Sequence, residues 1–271
     1  MFKIILSAGL LSLRLPFLLL LIIFGLITIA FYPRDIRFFK KQHFSIMMMW
    51  MRCLSMILGL KSKIIGQVDT TADLYVSNHV TYLDIIILNK LLPVNFIAKE
   101  EISRWPIIGS LASKTGTLFI RRGDNIASTK MIDEMQSRFK LKNKIIFFPE
   151  GKIGNGEKIK KFHSKLFKSI ENKDMTIQPI AIRYPKDYPE NNNYSEEISK
   201  KSERGEMIRL YFDFLMRTQS HVILHFLNKV NTRDYNALTI TNVLDNNINE
   251  KLNDLNSKII NLLSACQPML T

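Results

Sequence analysis

The first 60 residues of the chain are dominated by apolar side chains. After Arg14, the run LPFLLLLIIFGLITIAFY (residues 15–32) carries no charge, and a helix needs about 20 apolar residues to cross the hydrocarbon core of a bilayer. The run therefore predicts a membrane-anchoring helix. A cleaved signal peptide is the alternative, since Lys3 and Arg14 precede the run. Because the run is long for a signal peptide and no clean small-residue cleavage site follows it, the pattern favours a retained anchor.

Two further segments predict how the chain meets the membrane. RDIRFFKK (residues 34–41) carries four basic side chains and one acidic one, so the positive-inside rule predicts that the rest of the chain lies on the cytoplasmic side of the inner membrane. The stretch from Phe44 to Leu60 is apolar nearly all round and is interrupted by Arg52. This pattern predicts a helix in the membrane interface, or packed on the first helix. An ordinary buried helix is the alternative.

From about residue 62 onward, short apolar runs alternate with longer stretches of helical periodicity, which is typical of α/β architecture. The predicted strands are DLYVSN, VNFIAK, TLFIRR, KIIFFPEG, TIQPIAIRY and HVILHFLNKV. The predicted helices are TYLDIIILNKLL, PIIGSLASKTG, IASTKMIDEMQSRFKL after a cap at Asp124 or Asn125, and DNNINEKLNDLNSKIINLL capped by Asp245. The polar residues 185–205 predict a mobile surface loop. We therefore predict one α/β domain over residues 62–271, with a central mixed sheet flanked by helices, preceded by a membrane-anchoring helical segment over residues 1–61.

The charge balance indicates the class of partner. The chain carries 38 basic and 24 acidic side chains, a formal net charge of +14, and so basic a protein attracts polyanions. Because an apolar anchor precedes the basic domain, we expect membrane lipids as the anionic partner and no nucleic acid. The two cysteines, Cys53 and Cys266, are too few for a disulfide framework or a metal cluster, and reduced thiols facing the cytoplasm are expected.

The stretch SNHVTYLDIIIL holds the first candidate for catalysis. His79 and Asp84 are five residues apart, which on one helix would leave their side chains about 140° apart. They meet if His79 lies on the turn after the strand and Asp84 in the first turn of the helix. The alternative is purely structural: with Thr81 as N-cap, Asp84 occupies the N3 position of a capping box.

Two more stretches end predicted strands in polar residues. GTLFIRRG places Arg121 and Arg122 at the end of a strand, where the sites of α/β proteins gather and where a guanidinium matches the geometry of phosphate. FFPEGKIGNG places Glu150 and Gly151 at the next strand end, and glycines there let backbone N–H groups approach an anion. Solvated arginines and a plain glycine turn are the structural alternatives.

Taken in order, NHVTYLD, GTLFIRR, FPEG and QPIAIRY resemble the four ordered blocks of the glycerolipid acyltransferase family, whose best-known members are 1-acylglycerol-3-phosphate acyltransferases. The resemblance covers roughly residues 73–184. Whereas HxxxxD alone is common by chance, the ordered set at these spacings is not. The resemblance implies that His79 is the general base, that Asp84 orients it, that Arg122 binds the acceptor's phosphate, and that Glu150 and Gly151 help to hold the acceptor.

The chain departs from the family pattern in two places. Arg121 stands where the family often has aspartate, and KIG (residues 152–154) replaces the threonine-rich and serine-containing segment usual after FPEG. Both departures bear on the identity of the acceptor and not on the type of reaction. Together with Lys99, which lies in the connection FIAKEEISRWPIIG, Arg121 and Arg122 are candidates to neutralise an acceptor phosphate.

The residues also indicate the chemistry directly. A neutral histidine can accept the proton of a hydroxyl group as its oxygen attacks a thioester, and a carboxylate on the other ring nitrogen fixes the tautomer. The sequence contains no G-x-S-x-G, no Walker A motif and no histidine-rich metal spacing, so we expect neither a metal nor a cofactor. The donor is expected to be acyl-CoA or acyl carrier protein. Three hypotheses follow: acyl transfer to a lysophospholipid, most simply 1-acyl-sn-glycerol-3-phosphate; the same chemistry on another lysolipid such as lyso-ornithine lipid; and a non-enzymatic, basic lipid-binding protein at the membrane surface.

Overall fold

The computed structural model describes residues 2–33, 35–121, 123–185, 194–203 and 206–265. Over this part of the chain the helices are α1 (Phe2–Ala30), α2 (Lys41–Ile57), α3 (Leu83–Asn89), α4 (Ile108–Lys114), α5 (Asn125–Lys140), α6 (Tyr194–Glu203), α7 (Met207–Leu215) and α8 (Ala237–Ala265). The strands are β1 (Leu60–Ile65), β2 (Leu74–Ser77), β3 (Val94–Lys99), β4 (Leu118–Ile120), β5 (Lys144–Phe147), β6 (Thr176–Arg183), β7 (Ser220–Phe226) and β8 (Val230–Asn231). Arg34, Arg122 and Cys266 lie outside the described residues.

The strands form one mixed sheet in the order β1-β7-β6-β2-β5-β3-β4, with β8 paired to β6. The five strands from β6 to β4 in this order are parallel to one another, and β7 is antiparallel to β6. The predicted central mixed sheet is therefore confirmed. Because the carboxyl ends of the parallel strands meet at one edge, the predicted site residues that follow β2, β3, β4 and β5 share that edge.

Helices cover both faces of the sheet. Along β2, Tyr75 points into one apolar cluster, whereas Leu74 and Val76 point into the other, as the two-residue period of a strand requires. We call the helices on the Tyr75 side the first layer; it contains α1, α2, α3, α6 and α7. The second layer contains α5, the 3-10 helix Lys165–Ser169 and α8. The two layers bury the sheet and leave its carboxyl edge between them.

The N-terminal helix α1 packs onto the other helices of the first layer along much of its length. Residues Ile5–Ala30 form the one described helix that is long and apolar enough to cross a membrane. On one side, Leu11, Leu15 and Leu18 pack against the core of the domain. The Trp50 indole N–H of α2 donates to the carbonyl of Leu21 at 2.9 Å, so the two N-terminal helices are joined to each other as well as to the domain.

Arg14 fixes α1 to the end of α7. Its guanidinium donates to the carbonyls of Leu215 at 3.1 Å, Arg217 at 2.5 Å and Thr218 at 3.0 Å. The last carbonyls of a helix have no partner within the helix, so a side chain of α1 supplies the C-terminal cap of α7.

Several local predictions differ from the structure. The last helix begins at Ala237 and not after Asp245; Asn236 caps it by accepting the N–H groups of Leu238 and Thr239. Within the polar stretch predicted as a mobile loop, residues 194–203 form α6, and residues 186–193 lie outside the described part. The division of the chain between residues 61 and 62 falls inside β1 and stays a prediction.

Candidate active site

His79 lies on the turn between β2 and α3, as the sequence predicted. Asn78 sets the direction of this turn, since its side chain accepts the Ile182 N–H at 2.7 Å and donates to the Ile182 carbonyl at 2.9 Å. With these two hydrogen bonds the Asn78 side chain extends the pairing between β2 and β6 by one residue. The chain then leaves the sheet at His79, whose side chain keeps 13% of its surface exposed.

The His79 and Asp84 side chains meet, with 2.8 Å between Nδ1 and Oδ2. The Asp84 side chain is fully buried. An ionised carboxylate only accepts hydrogen bonds, so the Nδ1–H donates to Asp84 and the other ring nitrogen, Nε2, is left to accept a proton. This is the arrangement that general-base catalysis requires.

Asp84 also organises the backbone around the histidine. Its Oδ2 accepts the N–H groups of Val80 at 2.8 Å and Thr81 at 3.1 Å, and its Oδ1 accepts the phenol of Tyr184 at 2.9 Å. The bond to the Thr81 N–H is half of the predicted capping box, although α3 begins at Leu83 with Tyr82 as the N-cap. Capping and orientation of His79 are thus carried by one carboxylate.

Tyr184 is a contact partner that the spacing of residues did not indicate. It is completely buried, and burial, followed by the nearby charge of Asp84, raises the pKa of its phenol well above the usual value of 10.0. The phenol therefore stays protonated at all ordinary pH values. The Tyr184 phenol therefore always donates to Asp84 Oδ1, and it stabilises the carboxylate whose other oxygen contacts His79.

Phe148 holds the imidazole from one side. The two rings are stacked, with centroids 4.0 Å apart and planes inclined by 10°. Phe148 directly follows β5, the strand next to β2. The stack restricts the side-chain torsions of His79. The edge of the ring that carries Nε2 is then the position left to accept a proton.

Glu150 supports the main chain of His79. Its Oε1 accepts the His79 N–H at 2.7 Å and its Oε2 accepts the Lys160 N–H at 2.8 Å. The His79 carbonyl in turn accepts the Gly154 N–H at 2.6 Å. A Cβ atom on Gly154 would lie 2.7 Å from Glu150 Oε2, so only glycine fits here. Both polar groups of the His79 backbone are therefore held by the turn after β5.

This geometry predicts that Glu150→Gln lowers kcat and leaves the KM of the acceptor nearly unchanged. Above the pKa of Glu150 the ionised carboxylate offers two acceptor oxygens where the amide offers one, so in the variant one main-chain N–H loses its partner and His79 shifts. Displacing a catalytic group by about 1 Å costs on the order of 10² in rate. Steady-state kinetics with varied acceptor will test this, because a glutamate that contacts the acceptor would raise KM instead.

Thermal unfolding between pH 5 and 7 is the control for this variant. Burial raises the pKa of Glu150 from its ordinary 4.5 to about 7, although the N–H groups of Lys160 and His79 and the charge of Lys160 lower it. The folded protein thus binds a proton that the unfolded chain has released, so the contribution of Glu150 to stability falls as pH rises through this window. Glu150→Gln should remove this pH dependence; an unchanged profile would contradict the assignment.

Two of the basic candidates, Lys99 and Arg121, lie at the same edge but farther from His79. Lys99 ends β3, two strands from β2, and is exposed. Arg121 follows β4, one strand further on, which is about 14 Å from the end of β2 at the usual strand spacing, and it pairs with Glu100 at 2.9 Å. Arg122 cannot be located, since it lies outside the described residues.

Gly151 closes the turn after Glu150. Its φ of +67° lies in the left-handed region that favours glycine, and its N–H donates to the Phe148 carbonyl at 3.0 Å. A Cβ atom here would lie 3.3 Å from the ring of His163. In this structure its N–H group is therefore used within the turn.

An apolar cavity of about 460 Å³ lies between the N-terminal helices and the domain. Its walls come from α1, α2, α3, β3, α4 and α7. Tyr82 and Phe96 line the cavity, and the Phe96 ring lies 6.2 Å from that of Phe148, which is stacked on His79. One aromatic ring, that of Phe148, therefore separates the cavity wall at Phe96 from the ring of His79.

Comparisons with known proteins show similarity to acyltransferases over the part of the chain that contains these residues. Residues 66–183 match the family described as Acyltransferase. A lyso-ornithine lipid O-acyltransferase of Pseudomonas aeruginosa is 35% identical over 139 residues, 51% of this chain and 53% of that protein. A 1-acyl-sn-glycerol-3-phosphate acyltransferase of Neisseria gonorrhoeae is 31% identical over 111 residues, 41% of this chain and 44% of that protein.

The fold has a counterpart among solved structures. The crystal structure of the 1-acyl-sn-glycerophosphate acyltransferase PlsC from Thermotoga maritima superposes with a TM-score of 0.63 at 15% identity, covering 94% of this chain and 98% of that one. The sequence matches span about half the length of the two relatives named above. The matched region contains His79, Asp84 and Glu150 in the arrangement described here. Over residues 66–183 this chain is therefore similar to the family described as Acyltransferase.

Proposed function

We propose that this protein is a membrane-associated O-acyltransferase that transfers an acyl chain from a thioester to the hydroxyl group of a lysolipid. The observation that carries the proposal is the 2.8 Å contact between His79 Nδ1 and Asp84 Oδ2, at the carboxyl edge of the sheet and one aromatic ring from an apolar cavity. The relatives named above are acyltransferases of two lysolipids, which supports the same reaction type.

In this mechanism the acceptor hydroxyl gives its proton to His79 Nε2 as its oxygen attacks the thioester carbonyl. The carbon–sulfur bond then breaks, and the leaving thiolate takes the proton back from Nε2. Asp84 stabilises the imidazolium that exists between these steps. The acceptor's own hydroxyl is the nucleophile, so the reaction needs no covalent enzyme intermediate.

The apolar cavity is suited to an acyl chain. Residues of both N-terminal helices form part of its wall, including Leu18 and Met47. Apolar lining with few polar groups favours burial of hydrocarbon, since each buried CH₂ contributes about 0.8 kcal/mol. The position of the cavity beside Phe96 brings the thioester end of a bound chain close to His79.

The exposed surface of α1 is suited to the membrane. Large apolar side chains that remain exposed on this helix include Ile5, Leu13, Phe17, Leu20, Phe24 and Ile27. A contiguous apolar surface of this kind marks a contact with membrane or protein. With the basic segment of residues 34–41, it supports attachment to the cytoplasmic side of the inner membrane.

The acceptor that we propose is 1-acyl-sn-glycerol-3-phosphate, with the product phosphatidic acid. Lys99, Arg121 and Arg122 supply positive charge near the acceptor's phosphate in this proposal. Lyso-ornithine lipid is the second candidate, because the Pseudomonas aeruginosa relative is named for that acceptor. In addition, Glu100 pairs with Arg121, so the part of the sheet edge at this corner carries both a negative and a positive charge. Such a corner suits an acceptor that bears both an ammonium and a carboxylate.

Purified protein in mixed micelles, given labelled palmitoyl-CoA or palmitoyl-loaded acyl carrier protein and a panel of lysolipids, will test the proposal. We expect phosphatidic acid from 1-acyl-sn-glycerol-3-phosphate. Arg122→Ala should raise the KM of this acceptor about ten- to a hundredfold, since a hydrogen bond to a charged group contributes about 1.5–3 kcal/mol. Preferential use of lyso-ornithine lipid would select the second candidate, and no acylated product from any lysolipid would favour a non-enzymatic lipid-binding protein.

A further inference from the structure

The segment after β5 carries a group of exposed lysines that the reaction mechanism does not use. We call this group the loop lysines; it consists of Lys152, Lys158, Lys161 and Lys168. Among the described residues none of the four makes a salt bridge. Between residues 152 and 168 the sequence contains six lysines and one acidic residue, Glu157, so the surface is strongly basic.

The segment that carries the loop lysines contacts the main chain of His79. The segment folds back on itself where Lys160 N–H meets Glu150 at 2.8 Å and where His163 N–H meets the Pro149 carbonyl at 3.0 Å. The Gly154 N–H contacts the His79 carbonyl at 2.6 Å. The segment that carries Lys152, Lys158 and Lys161 therefore starts at the carboxyl edge of the sheet, where its main chain contacts that of His79.

The segment is held firmly to the second layer. The Ile159 N–H donates to Asn249 Oδ1 at 2.9 Å and the Phe162 N–H donates to Asp245 Oδ2 at 3.1 Å, both on α8. Farther along, Lys165 Nζ donates to Asn125 Oδ1 at the start of α5 at 2.5 Å. The lysines thus project from an ordered surface, which lowers the entropic cost of binding a partner.

The second layer lies on the opposite face of the sheet from α1 and α2. The exposed apolar side chains of α1 belong to the first layer, so a membrane in contact with them lies on that side. The segment that carries the loop lysines is bonded to α8 of the second layer, and attraction to lipid head groups falls off within about 10 Å. A soluble anionic partner therefore fits this surface better than the membrane does.

We propose that the loop lysines form the docking surface for an acidic carrier protein that delivers the acyl thioester. This inference rests on the proposed acyl transfer, because it concerns the donor of that reaction. The lysines are spread along the segment: Lys152, Lys158 and Lys161 precede the 3-10 helix Lys165–Ser169, and Lys168 lies within it. Such a spread matches the acidic surface of a protein better than a single phosphate group.

The test is a charge reversal with a matched control. We expect Lys161→Glu combined with Lys168→Glu to raise the KM of palmitoyl-loaded acyl carrier protein at least about tenfold at low salt, because each reversal replaces attraction by repulsion. The KM of palmitoyl-CoA should stay the same. The control is Lys140→Glu combined with Lys142→Glu, which reverses two exposed lysines of the same layer at the opposite edge of the sheet and should change neither value.

Direct binding separates this proposal from the proposed function. Calorimetry with unloaded acyl carrier protein should show binding by the wild type and by the control variant and a loss of at least about tenfold for the Lys161 and Lys168 variant, whether or not turnover is observed. Equal increases in the KM of both donors would overturn the proposal in favour of a small phosphate site. Loss of binding to phosphatidylglycerol vesicles, with carrier binding intact, would overturn it in favour of a membrane contact.

Discussion

His79→Ala will lower turnover by about 10²–10⁴, the usual loss when a general base is removed. In the proposed mechanism Nε2 of the imidazole accepts the proton, and Nδ1 is already committed to Asp84. The side chain contributes little to the core, since it lies on a turn and remains partly exposed. We therefore expect the melting temperature and the association with vesicles to stay close to those of the wild type, while single-turnover acyl transfer almost disappears.

His221→Ala is the matched control for this experiment. His221 lies on β7, which is separated from β2 by β6, so its removal should leave turnover intact. If the His79 variant kept near-normal turnover per folded molecule, His79 would not be the base, and the proposed mechanism would fail with it.

Asp84→Asn will reduce both turnover and stability. The carboxylate accepts bonds from Tyr184, from His79 and from two main-chain N–H groups, whereas the amide of asparagine would direct an NH₂ group at some of these donors. Turnover should fall by roughly 10²–10⁴, because the wrong tautomer of His79 is favoured. One buried donor left unpaired costs about 1–3 kcal/mol, so the free energy of unfolding should fall by a similar amount.

Urea unfolding and turnover per folded molecule separate the two effects. Tyr184→Phe is a useful comparison, since it removes one bond to Asp84 and leaves the contact with His79 in place. Its loss of turnover should be much smaller than that of Asp84→Asn. A destabilised Asp84 variant with full activity per folded molecule would reduce Asp84 to a helix cap.

The sequence predicted those parts of the fold that local patterns determine. Strands β2, β3, β5 and β6 are buried apolar runs, and the structure contains each of them. Strand β1 was missed because its apolar residues alternate with lysines at the edge of the sheet, as in LKSKII. The start of α8 was misplaced because its first turns are rich in β-branched residues, which have a weak helix propensity. In the structure, burial of Ile240 and Leu244 in the apolar cluster beneath the second layer overrides that weak propensity.

In the candidate site, too, contacts between residues close in sequence could be predicted, and contacts between distant residues could not. The pairing of His79 with Asp84 could be predicted, because a turn between a strand and a helix brings residues five apart into contact. Tyr184 is 100 residues from Asp84, and nothing in the local pattern links the two. The contacts of Glu150 with the His79 and Lys160 backbone also depend on how the chain folds back after β5, which the sequence pattern alone does not specify.

The cap that Arg14 provides for α7 has a consequence for any attempt to make this protein water-soluble. Cutting away α1 would leave the terminal carbonyls of α7 without their guanidinium partner and would open one wall of the apolar cavity. Helix α1 is thus a structural part of the domain and not a removable segment. Polar replacements at outward positions such as Phe17 and Leu20 would weaken the hold on lipid while keeping the cap and the cavity wall in place.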